Sequence, residues 1–139
     1  MRAPLSLIVC LMTAPAVLTA CAAGPEVTSQ DTLATSGAAQ YQGIETILLD
    51  GDLVNFRVAM TGARDELDVE AYGRCAAAQY ALIRGFGFAR HVRTTVAQDD
   101  DIWRGDAVYT ISAALPRGLK TIDAEVTVRD CGAQRIPTV

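Results

Sequence analysis

Between positions 54 and 61 apolar and polar residues alternate. Val54, Phe56, Val58 and Met60 stand against Asn55, Arg57, Ala59 and Thr61. A period of two marks a strand with one buried face. An apolar run at 44–49 precedes it, and Asp50-Gly51-Asp52 between the two predicts a hairpin turn. From Asp65 the period lengthens. Asp65, Glu66, Asp68 and Glu70 place negative charge where a helix N-terminus attracts it. Ala71, Cys75, Ala78 and Leu82 then recur at spacings of four, three and four, and Tyr72, Ala76 and Ile83 widen that stripe. Arg84 and Gly85 supply a C-terminal stop. Gly73 interrupts the helix at a cost of about 1 kcal/mol relative to alanine.

The second half reads as three more strands. Residues 88–96 form the first, with Val92 and Val96 on the side of Phe88. Residues 98–106, QDDDIWRGD, read as an exposed acidic loop. Tyr109, Ile111, Ala113 and Leu115 alternate, Pro116-Arg117-Gly118 turns the chain, and Ile122, Ala124, Val126 and Val128 alternate again with charged or hydroxyl residues. The expected fold is α+β, in the order ββαβββ: an antiparallel sheet of about five strands with one helix packed on one face. The polar solvent faces of the strands suit that layering.

The amino-terminal segment has a different pattern. After Arg2 the chain stays apolar to Ala20, broken by Ser6, Thr13, Thr19, Pro4 and Pro15. A basic start, an apolar stretch and small residues at its end form a secretory signal. The prolines and the lack of a basic stop argue against a spanning helix. Leu18-Thr19-Ala20-Cys21 resembles the site cut by the lipoprotein signal peptidase, which implies an acylated Cys21 as the first mature residue. Two or three acyl chains anchor a protein stably where one does not. The rival is cleavage after Ala22, since Ala20-x-Ala22 also fits a small-x-small site; that cut releases a soluble secreted domain. Ala22 after the cysteine, rather than an aspartate, resembles the enterobacterial sorting pattern for the outer membrane, with the periplasmic face of the inner membrane as the alternative.

The expected organisation is a signal peptide at 1–20, Cys21 with a tether to residue 40, and a periplasmic domain at 41–139. Residues 22–40 are small and polar without a sustained period, and nineteen such residues span ~25 Å root-mean-square. Loss of residues 1–20 from the 139-residue chain leaves 119, and loss of Arg2 leaves eleven basic against sixteen acidic residues, a net charge of −5. That length supports one domain. The acidic balance argues against nucleic acid, which needs a basic footprint.

The stretch from Val54 through Phe88 resembles the core of a group of small, uncharacterised proteobacterial lipoproteins. The shared features are an F-x-V-x-x-x-G strand ending (Phe56, Val58, Gly62), an alanine-rich helix (Arg74-Cys75-Ala76-Ala77) and a G-aromatic-x-aromatic exit (Gly85-Phe86-Gly87-Phe88). The resemblance covers about 35 residues and implies no particular activity.

With Cys10 in the leader and Cys21 acylated, Cys75 and Cys131 remain, and two cysteines in an exported chain point to a disulfide. Cys131 is out of phase with the strand expected at 122–128, which places it off the core unless that strand ends or bulges near Asp130. Two distant cysteines do not make a zinc site, and Asp99-Asp100-Asp101 with Asp106 lacks the EF-hand spacing. His91 has no catalytic partner in the sequence and reads as a surface or edge-strand histidine. No G-x-S-x-G, H-E-x-x-H or Walker motif occurs. Trp103 is either folded back on the sheet or offered to a partner. Arg90 and Arg93, near Arg84 and Arg104, either meet an anionic envelope component or pair with the protein's own carboxylates. Trp103, Arg90 and Arg93 therefore form the candidate binding surface. No cofactor or metal is expected. The expected partners are the membrane, through acyl chains on Cys21, and another envelope protein. The expected role is non-enzymatic interaction, with a binding module for a small ligand or envelope glycan as the alternative.

Overall fold

The computed structural model describes residues 37–139. The leader, Cys21 and tether residues 22–36 lie outside the described residues. The elements run β1 (Gln40–Leu48), β2 (Leu53–Thr61), α1 (Glu66–Ile83), β3 (Phe88–Asp99), β4 (Ile102–Ser112), β5 (Thr121–Asp123) and α2 (Ala124–Ala133). The five strands form one antiparallel sheet in the order β1-β2-β4-β3-β5. The fold is α+β, as expected, but it has two helices.

The β1–β2 turn contains Gly51 at φ 66, a left-handed conformation that favours glycine. β2 buries Val54, Phe56, Val58 and Met60, the set its alternation predicts. Asp65 caps α1, its carboxylate accepting from the Leu67 N–H at 2.9 Å. At the other end the Gly85 N–H donates to Leu82 O and the Phe86 N–H to Ala81 O, a Schellman pair around Gly85 at φ 77.

The alanine run of α1 is explained by what surrounds it. Ala76, Ala77, Ala78 and Ala81 are all fully buried and pack with sheet residues and with Ala124, next to Ile122 and Val128. Small residues are needed because α1 lies against both the sheet and α2. Gly73 fits the same account: a Cβ there would stand 2.8 Å from the Ala107 Cβ on β4. A Cβ on Gly105 would stand 2.6 Å from Val69 Cγ1 and 2.9 Å from Val58 Cγ2. The glycines let helix and sheet backbones approach, so what local propensity scores as a defect at Gly73 is a packing requirement.

Three expectations are corrected. Most of the strand expected at 122–128 is α2. Asp123 caps it, accepting from the Val126 N–H at 3.0 Å, and the buried positions Ala124 and Cys131, with half-buried Val128 between, follow helical spacing i, i+4, i+7. Val126, which alternation would bury, is exposed. The change of element also brings Cys131 into phase, and it is bonded to Cys75, tying α1 to α2 rather than to a last strand. Second, the acidic loop at 98–106 is only the tip of a hairpin. β3 runs to Asp99, Asp100 at φ 54 makes the turn, and Trp103, Arg104 and Asp106 lie on β4. Three consecutive aspartates hid the strand that follows them. Third, the β3–β4 register slips between His91 and Arg93, leaving Val92 as a bulge. The extra residue reverses parity, so Val96 and Phe88 face opposite sides.

Candidate functional site

The face of the sheet away from α1 is built from rows of paired residues. One row joins Glu45, Arg57, Asp106 and Thr95 across four strands; the next joins Gly43, Ala59, Arg104 and Ala97; a third joins Ile47, Asn55, Val108 and Arg93. The second row has glycine or alanine at three of its four positions. Between longer neighbours, those small side chains leave a trough of about 560 Å³, lined by Ala59, Ala97, Arg57, Arg104, Glu45 and Asp106.

Asp106 organises the charges. Its Oδ1 accepts from Asn55 Nδ2 at 2.8 Å and from Arg93 Nη1 at 2.9 Å, and its Oδ2 lies 3.9 Å from Arg57. Arg57 also lies 3.7 Å from Glu45, and Arg104 lies 3.8 Å from Asp99. These ion pairs are largely exposed, so each stabilises little. They hold the guanidinium groups in place beside the trough. Asn55 differs: only 4 % of its surface is exposed, so its amide depends on Asp106. Asp106→Ala is expected to cost about 1–3 kcal/mol by stranding that buried donor, while Asp106→Asn, which keeps an acceptor oxygen, costs less. Urea unfolding of the two variants checks the order.

The structure places Arg93 in this network, and Arg90, paired in register with Thr110, on the same outer face. Trp103 is not with them. It pairs with Met60 and packs, half-buried, against the cluster of Val58, Met60, Val69 and Tyr72 on the α1 side. Glu45, Asn55 and Arg57 were not singled out in the sequence, and Asp106 was weighed there only as a calcium ligand beside Asp99, Asp100 and Asp101. Reading 102–112 as one continuous strand would have put Arg104 and Asp106 on the face opposite the buried Ala107, Tyr109 and Ile111. Among the described residues, no group of three or more His, Cys, Asp or Glu side chains is arranged to hold a metal ion, and no helix is long and apolar enough to cross a membrane.

A family profile described as the YNQ4 C-terminal domain matches residues 41–135. The chain is 32% identical over 85 residues to an uncharacterized 26.9 kDa protein in the nqo8 5′ region of Paracoccus denitrificans. The match covers 61% of this chain and 33% of that protein, so the chain aligns with about a third of the curated relative's length. Both findings support a small proteobacterial protein. No solved structure matches.

Proposed function

We propose that this chain, which belongs to the YNQ4 C-terminal domain family, is an envelope lipoprotein anchored through Cys21. Its α+β domain binds another envelope protein through the trough on the outer sheet face. The observation that carries the binding role is the trough: a floor of Gly43, Ala59 and Ala97 edged by Arg57, Arg104, Glu45 and Asp106. An apolar centre inside a polar rim is the usual make-up of a protein interface. The rim charges already engage one another, which favours a partner of mixed charge over a strongly anionic glycan. The role is recognition rather than catalysis, and the acylated cysteine and tether keep the domain at the membrane. The leader pattern and Leu18-Thr19-Ala20-Cys21 support the anchor and an outer-membrane address facing the periplasm.

Photocross-linking in the native envelope tests this reading. A photoreactive residue at Ala97 or Ala59 is expected to give one discrete adduct, and Arg104→Glu is expected to weaken it. The same probe at exposed Glu125 on α2 serves as the control. Trough positions that label no better than position 125 would exclude the trough as the interface.

A further inference from the structure

The opposite side of the sheet holds a second hollow, separate from the trough. It has a volume of about 250 Å³ and is lined by Glu70 and Arg74 of α1, His91, Tyr109, Lys120 and Ile122. That volume lies just below the usual range for drug-sized ligands, which restricts the hollow to a small one. Two backbone features shape it. The bulge at Val92 sets His91 opposite Tyr109, their rings edge-to-face at 5.1 Å. Lys120 adopts φ 62, uncommon for a residue with a side chain, and its carbonyl accepts the His91 N–H at 3.0 Å. A lysine 29 positions along the chain is thereby fixed beside the imidazole.

The polar groups around the hollow are not used up by one another. Among the described residues, neither Arg74 nor Lys120 has a carboxylate within 4.0 Å. Tyr109 is 3 % exposed as a whole residue, but its hydroxyl is not among the fully buried unpartnered atoms and is open to the hollow. His91 bonds Thr94 Oγ1 through Nε2 at 2.8 Å. Burial pulls its pKa below the ordinary 6.5, the Lys120 ammonium lowers it further, and Glu70 opposes both. The imidazole is therefore neutral near pH 7. Arg74 and Lys120 against Glu70 leave the rim with one net positive charge. We propose that this hollow binds a small monocarboxylate, held by Arg74 and Lys120 and receiving a hydrogen bond from the Tyr109 hydroxyl. A single negative charge matches the balance, whereas Glu70 opposes a phosphate dianion.

His91 is the sole histidine, so its ring C–H signals report on the hollow without ambiguity. The test titrates the folded protein with sodium acetate and with N-acetylglycine, against sodium chloride and sodium phosphate at matched ionic strength. The expected result is a saturable shift of the His91 signals by the carboxylates, weakened about tenfold by Arg74→Gln or Lys120→Gln and severalfold by Tyr109→Phe. Arg74 and Lys120 are exposed, so those two variants keep the fold.

The bound anion also favours the imidazolium. The folded-state pKa of His91 lies below its unfolded value. Its contribution to stability is therefore complete above 6.5 and is lost as pH falls through the folded pKa. Carboxylate is expected to raise the His91 pKa and reduce that acid-side loss. Linear drift up to 100 mM, an equal response to chloride, tighter saturation by phosphate, or unchanged affinity in both cation variants would each overturn the assignment.

Discussion

The double variant Cys75→Ala/Cys131→Ala is expected to lose about 4 kcal/mol of stability and to melt about 20 °C lower than the parent. The bond joins residues 56 positions apart, so in the chain-entropy model it removes a large loop from the unfolded ensemble. It also acts on a vulnerable element. α2 has ten residues, too few to be stable alone, and buries only Ala124 and Cys131. With the bond gone, α2 keeps its own Asp123 cap and, against α1, only the packing of Ala124 and half-buried Val128. Hydrogen exchange should show α2 amides losing protection before those of β2 and β4. A loss under 1 kcal/mol, or uniform loss of protection, would mean that packing rather than the bond holds the two helices together.

The second large effect is expected from the smallest change. Gly105→Ala adds one methyl group at the point where β4 meets α1, and it is expected to cost about 3 kcal/mol. The added Cβ meets Val69 Cγ1 and Val58 Cγ2, both on buried β-branched side chains that cannot turn aside. Adding Val69→Ala should recover part of the loss, because it opens space at the same contact, and a double-mutant cycle measures that coupling. Gly73→Ala is a sharper test of sign. Alanine gains about 1 kcal/mol of helix propensity, but its Cβ meets the Ala107 Cβ at 2.8 Å. Net destabilisation is expected. Net stabilisation would show that the helix can lift from the sheet at little cost.

What was legible in the sequence follows from which interactions are local. The alternation of β2, the Gly51 turn and the acidic start and Gly85 stop of α1 are short-range patterns, and each appears where it was expected. The Cys75–Cys131 bond followed from the number of cysteines and the expected compartment, and the structure contains it. The second helix was missed because Ile122 to Val128 fits a period of two as well as it fits an Asp-capped helix. Burial of Cys131, a tertiary fact, decides between them. The Val92 bulge is one inserted residue and has no signature in composition, yet it sets which side of the sheet His91 faces.

The candidate sites were only partly legible for the same reason. Arg93 could be named from its neighbours in sequence. Its partner Asp106 is 13 positions away, and Asn55, which donates to the same carboxylate oxygen, is 38 away; only strand register brings the three together. The hollow on the other side depends on a bulge and on the conformation of Lys120, neither of which periodicity reveals.

On the proposed function, this domain is held at a membrane through Cys21 and works there as a bonded α+β unit. The most direct test is the intact mass of the mature protein purified from its native membrane, with and without reductant. The account predicts a chain beginning at Cys21, carrying acyl mass and gaining 2 Da on reduction as Cys75 and Cys131 each take up a hydrogen. A chain beginning at Ala23 without lipid would contradict the anchor and leave a soluble secreted domain.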